Sequence, residues 1–288
     1  MTHSARHPVG SVVTLWRYPV KSMLGEELNA SNVTERGLAG DRAYALVDSA
    51  DGKIASAKNP RKWPRMFAFR AALAATADLG DLLPAVRITL PNGDQLSSEQ
   101  ADHDERLSGV LDRAVTLQAA GRGDRQPAAA SSRGRWAGTA EEYWADMDGL
   151  DYRDTVTDFD LPQDTFFDCA AIHVLTTATL DQLREFYPQG RFEVRRFRPN
   201  IVVETSESGS GFPEDAWIGH TIRTGDHVRL SITGPCPRCV MTTLAQADLP
   251  KDSGILRTAA QHNGVNVGVY TSVAHGGKIL RGDPIWLE

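Results

Sequence analysis

The densest chemistry in the chain is the segment Gly234-Pro235-Cys236-Pro237-Arg238-Cys239. A guanidinium beside a thiol favours the thiolate, the form that attacks electrophiles and ligates soft metals. Several readings of the pair stand side by side. It is half of a zinc site if His220 and His227 are recruited, although the chain has no second cysteine pair and no closely spaced histidine pair to complete one. It is a dithiol redox motif if a helix opens at the second cysteine, although Val240-Met241-Thr242-Thr243 reads as extended. It is a single reactive or metal-binding thiolate if only Cys239 is exposed to a partner. Both cysteines can also be small buried hydrophobes. With Cys169 the chain has 3 cysteines, too few for a disulfide framework and short of the four thiolates an iron–sulfur cluster usually takes.

Three basic segments keep the cysteines company. Arg195-Arg196-Phe197-Arg198-Pro199-Asn200 precedes a strand, Tyr18-Pro19-Val20-Lys21-Ser22 follows one, and Ser56-Ala57-Lys58-Asn59-Pro60-Arg61 follows a hairpin. Each sets a cation beside a hydroxyl or amide at a strand end, a combination suited to a phosphate or a polar heterocycle such as a pterin. Lys and Arg total 31 against 37 Asp and Glu, a net charge of −6. Any anion site must therefore be local, and broad nucleic-acid binding, which needs a basic excess, is not expected.

The elements that must position these residues are mostly short strands. Ser11–Tyr18 is β-branched and aromatic. Arg42–Val47 alternates and leads through Asp51-Gly52 into Lys53–Ala57. Met66–Ala72 and Ala85–Leu90 read as strands, the second closed by the turn Pro91-Asn92-Gly93-Asp94. A helix is predicted over Asp104–Leu111. Later come strands at Ala171–Leu175, Ile201–Glu204, Asp226–Ile232, Val265–Ser272 and Pro284–Leu287, with a helix capped by Thr179 and stopped by Pro188 and another over Gly254–His262. The spacing predicts a mainly β chain with some α, built as two β-barrel domains. The Gly-, Ala-, Ser- and Arg-rich stretch Ala120–Gly138 reads as a flexible surface loop or linker whose Arg122, Arg125, Arg133 and Arg135 are either solvated charge or a docking patch for an acidic protein. No run reaches the roughly 18 apolar residues of a membrane span, and no secretory leader is read, so a cytoplasmic protein without membrane partners is expected.

Taken together, these motifs resemble the MOSC family (molybdenum cofactor sulfurase C-terminal domain) with its N-terminal β-barrel domain. The N-terminal part is marked by Tyr18–Ser22, by Arg36-Gly37-Leu38-Ala39-Gly40-Asp41-Arg42 and by Ser56–Arg61. The MOSC part is marked by Phe197–Asn200, by Cys236–Cys239 with Thr242-Thr243, by Asn266-Val267-Gly268-Val269-Tyr270 and by Gly282-Asp283. Within the family the chain is similar to the amidoxime-reducing component of mitochondria and to bacterial reductases of N-hydroxylated bases. The boundaries implied are an N-terminal β-barrel domain over 1–118, a flexible connection over 119–165 and a MOSC domain over 166–288, with a cofactor between the two barrels.

The resemblance implies a molybdenum cofactor (molybdopterin), its metal bound by two pterin sulfurs and one protein thiolate, Cys239. Lys21, Ser56, Lys58, Arg198, Asn200 and Arg238 match positions that hold the pterin and its phosphate. Asp168 matches an acidic residue near the metal, a proton donor or a substrate-orienting group. Two departures are visible. Pro237 stands where Ser or Thr is frequent and offers neither a hydroxyl nor an N–H, and Lys58 stands where Arg is frequent, a point charge instead of a fork. The implied activity is reduction of small N-oxygenated compounds, with electrons from a separate flavodoxin-, ferredoxin- or cytochrome-type protein. Two alternatives use the same residues: a sulfur carrier with a persulfide on Cys239, and a cofactor-binding module without turnover.

Overall fold

Seven strands close into a barrel in the computed structural model, which describes residues 7–77, 83–120, 138–145, 154–162, 165–206 and 211–288. Around the barrel run Ile201–Thr205, Ile172–Thr176, Asn266–His275, Val228–Pro237, Thr221–Thr224, Pro284–Leu287 and Gly10–Arg17, which pairs back onto Ile201–Thr205. Ile172–Thr176 and Ile201–Thr205 are parallel neighbours. Their crossover carries the helix Thr177–Phe186, which packs with the helix Gly254–Asn263 over the outside of these strands through Leu175, Leu180, Leu183, Ile255 and Ala259. Every residue of Ile172–Thr176 is buried: Ile172 and Val174 fill the barrel on one face, and Leu175 on the other meets the helices.

The N-terminal half forms a second β unit from small sheets. Tyr44–Asp48 pairs with Val115–Ala119, and Arg70–Leu73, Val86–Thr89 and Gln95–Ser97 form an antiparallel trio. The segment after the first barrel strand bridges both sheets, through Val20 to Tyr44 and Leu24 to Arg70. Met23, Leu46, Phe67, Phe69, Ile88 and Leu107 are among its core, and Met241 from the far end of the chain is buried with them. The expected mainly β architecture with some helix is thus observed. Among the described residues, no helix is long and apolar enough to cross a membrane.

Several local expectations change. The helix after Ile172–Thr176 is capped by Thr176, whose hydroxyl accepts the Thr179 N–H at 3.2 Å while donating to buried Glu214 at 2.6 Å, so Thr179 lies inside the helix. Met66–Ala68 is a turn of 3₁₀ helix ahead of the strand Arg70–Leu73. The strand read as Asp226–Ile232 runs over Val228–Pro237 and takes Cys236 into the barrel wall. Its register against Asn266–His275 shifts near Gly234 and Pro235, as expected where prolines donate no ladder bond. Val240–Thr243 is a 3₁₀ turn, not an extended segment. Within 119–165, Thr139–Trp144 and Thr155–Asp160 pair as an antiparallel hairpin bridged to Ile54. Residues 121–137, with Arg122, Arg125, Arg133 and Arg135, lie outside the described residues.

Candidate active site

The two β units enclose a cavity of about 280 Å³. Lys21, Lys58, Asp168, Arg198, Asn200, Arg238 and Cys239 all line it, although they span more than two thirds of the chain. Ser56 does not line it. Its buried hydroxyl accepts the Lys58 N–H at 3.2 Å and so shapes the turn that presents Lys58.

The backbone pays a conformational cost to make this wall. Six described non-glycine residues have positive φ, and four of them, Ser22, Arg42, Arg198 and Val265, line the cavity. Such conformations cost of order 1–3 kcal/mol each and gather at functional sites. Arg198, at φ 54°, ends the short helix Val194–Phe197 with its N–H on the Val194 carbonyl. Its guanidinium donates to the Met23 carbonyl and stacks 4.1 Å from the centre of the Tyr18 ring, which Arg42 also faces at 5.0 Å. One aromatic ring thereby moderates two cations. Asn200 serves as a strut. Its amide donates to Asp41 at 2.9 Å and to the Trp16 carbonyl at 3.2 Å, and accepts the His173 N–H at 3.1 Å.

Five cationic side chains, Lys21, Arg42, Lys58, Arg198 and Arg238, share the lining with two carboxylates, Glu142 and Asp168. Asp168 pairs with Lys21 and lies 3.6 Å from Lys58, which also pairs with Glu142 at 3.0 Å. Burial favours the neutral acid, but Lys21 and Lys58 overcome it and hold Asp168 well below the usual carboxylate range. Asp168 is therefore an ionised acceptor, not a standing proton donor. Burial lowers the Lys21 ammonium against the pull of Asp168, and holds Arg198 down to about 10 with Arg42 pushing the same way. Burial opposes the charge on Lys58 as well, yet Asp168, Cys239 and Glu142 more than restore it.

The cysteines separate. Cys236 is fully buried in the barrel wall and accepts a hydrogen bond from Arg238 Nη1 at 2.7 Å, whereas Cys239 opens onto the cavity. The arginine between them thus serves the first thiol directly and the second only through space. Burial raises the pKa of Cys239, and Lys58 and Arg238 offset this only in part, so the thiolate expected from its neighbour does not follow from the protein alone. All three cysteines are free thiols, and Cys169 also lines the cavity. Among the described residues, no group of three or more His, Cys, Asp or Glu could hold a metal ion.

Sequence reasoning passed over Arg42 as a site residue, although it ends a quoted motif, and over Glu142, His173 and Tyr270. His173 sits inside an apolar strand, where a lone histidine reads as core. Only its place opposite Tyr270 across the strand pair puts it on the cavity wall.

Comparisons with known proteins agree with this architecture. The MOSC N-terminal beta barrel domain matches residues 9–136, and the MOSC domain matches residues 162–286. The chain is 27% identical to mitochondrial amidoxime reducing component 2 of Rattus norvegicus and 25% identical to that of Homo sapiens, in each case over 96% of this chain and 83% of the relative. A solved YuaD protein from Bacillus subtilis is similar at 12% identity, over 96% of this chain and 94% of that one, with a TM-score of 0.45. With both family domains matched in order and cationic motifs from each meeting at one cavity, the chain belongs to the MOSC family.

Proposed function

We propose that this protein is a molybdenum-dependent reductase of N-oxygenated compounds, with molybdopterin seated in the cavity between the two β units. The observation that carries the reading is the gathering of five cations and the Cys239 thiol around one cavity in an acidic chain. The residues fit the group. Lys21, Arg42, Lys58 and Arg198 supply the charge and donors a phosphate needs. Cys239 supplies one soft ligand, which suits a metal whose other sulfurs belong to the pterin. The relatives' name, amidoxime reducing component, supports the substrate class.

When bound, the cofactor supplies two-electron redox chemistry that side chains lack. The balanced reaction is R–NHOH + 2 e⁻ + 2 H⁺ → R–NH₂ + H₂O. Cys239 would hold the metal as a thiolate; burial disfavours that charge in the protein alone, and a coordinated cation would restore it. Asp168, kept ionised by Lys21 and Lys58, accepts an N–H of the substrate and orients its N–O bond. A separate electron-transfer protein supplies the electrons. The sulfur-carrier alternative calls for a low-pKa thiolate, and burial moves Cys239 the other way.

Protein from a cofactor-competent host should contain molybdenum and pterin and should convert an amidoxime to its amidine with reduced viologen as donor. Bound cofactor without turnover would make it a storage module, and sulfane sulfur on Cys239 without pterin would make it a carrier.

A further inference from the structure

A second cavity, of about 610 Å³, lies back to back with the first. Three chain segments form the partition, and each gives neighbouring residues to opposite sides. Lys58 lines the first cavity and Ala57 the second. Glu142 and Trp144 line the first and Tyr143 the second, as alternation along the strand Thr139–Trp144 requires. Cys239 and Met241 line the first and Val240 the second. The Tyr143 N–H donates to the Lys58 carbonyl at 2.7 Å and ties two of these segments together. Among the described residues the two cavities share no lining residue, so the second is a separate site and not an arm of the first.

Its chemistry differs too. The floor is apolar and mostly aromatic: Trp63, Met66, Phe67 and Tyr143 are each at most 9% exposed. The rim carries two exposed cations, Arg61 and Lys251, and no carboxylate is among the described lining residues. The Arg61 guanidinium lies 4.5 Å from the centre of the Tyr143 ring, which sets positive charge against the aromatic floor. Arg61 has the exposed Asp154 as counter-ion, and exposed pairs contribute little, so an incoming anion replaces it readily. Lys251 has no ion pair among the described residues. An apolar hollow of this size with a few charges at one edge has the make-up of a small-molecule site.

We infer that the second cavity binds a small aromatic carboxylate, its ring on the floor of Trp63, Phe67 and Tyr143 and its acid at Arg61 and Lys251. The occupant adjoins Val240, the residue after Cys239, from the side opposite the first cavity. The inference stands on this cavity alone and holds whether or not molybdopterin fills the other.

The test is calorimetric titration of the full chain with 2-naphthoate, its neutral counterpart 2-naphthamide, and octanoate. Naphthoate should bind at one site per chain, about tenfold more tightly than naphthamide, and more tightly than octanoate. The double variant Arg61→Gln, Lys251→Gln changes two exposed side chains and should keep its melting temperature. It should bind naphthoate only as well as naphthamide. Ala245→Trp, at an exposed position of the same lining, should abolish binding of both. Equal affinity for acid and amide in wild type overturns the inference, as does the absence of saturable binding. Tighter octanoate overturns the aromatic assignment. Naphthoate binding that survives both variants places the anion elsewhere, among the cations of the first cavity, and also overturns it. None of these results bears on the molybdenum and pterin content that tests the proposed function.

Discussion

Arg198 shows how a single residue divides its work between fold and site. Its left-handed backbone costs free energy that glycine would not incur, while its guanidinium stacks on Tyr18 and reaches the Met23 carbonyl. Arg198→Gly therefore removes the charge and relieves the backbone together. Cofactor-free protein should stay within about 1 kcal/mol of wild type in urea unfolding, while pterin retention drops sharply. A variant that keeps full pterin yet unfolds early would make Arg198 a structural residue. Lys21, Lys58, Arg198 and Arg238 were legible in the sequence because cations concentrated at strand ends are unusual in an acidic chain; Arg42 and Glu142 were not. Nor was His173, because its surroundings in sequence are those of a core strand and its place on the cavity wall is a three-dimensional property. The pairing of Arg238 with Cys236 instead of Cys239 was hidden for the same reason.

At the scale of elements, the turn carrying Cys239 is fastened from two sides. Met241 is buried in the N-terminal core. Arg196, wholly buried, donates to the carbonyls of Arg191, Thr242, Leu244 and Pro250 at 2.8–3.2 Å. The Thr242 and Thr243 hydroxyls add local bonds to the Cys239 and Val240 carbonyls, tightening the 3₁₀ turn. Val and Thr are β-formers, so the segment reads as extended until these tertiary partners are known. Arg196→Met leaves several buried carbonyls unpaired and should cost about 3 kcal/mol in urea unfolding, in contrast to Arg198→Gly. A loss below about 1 kcal/mol would show that water replaces those bonds and that the clamp does not hold the turn.

For the whole molecule, the decisive feature is the first strand. Gly10–Arg17 lies in the segment matched by the N-terminal domain, yet it closes the barrel by pairing with Ile201–Thr205 and Pro284–Leu287. The partner on one side is almost 200 positions away, and local periodicity carries no record of such a pairing. This is why strand positions were readable and the shared barrel was not. The same interlocking places the cavity at the meeting of both units, so the site exists only when the chain folds as one. Urea unfolding followed by near-UV circular dichroism and by tryptophan fluorescence should give one coincident transition. A fragment of residues 162–288 lacks the closing strand and leaves two barrel edges open, and it should aggregate or stay unfolded. A soluble fragment with native near-UV signal would contradict the interlocked account.

The proposed function makes Cys239 the protein ligand of a molybdenum centre. The most direct measurement is molybdenum and pterin content, side by side, in wild type, Cys239→Ser and Cys236→Ser purified from one cofactor-competent host. A hydroxyl is a poor ligand for a soft site, whereas a serine at 236 still accepts from Arg238. The predicted result is matched molybdenum and pterin in wild type, retention of both in Cys236→Ser, and loss of molybdenum in Cys239→Ser with the fold unchanged by circular dichroism. Equal loss from both cysteine variants, or full molybdenum in Cys239→Ser, would contradict it.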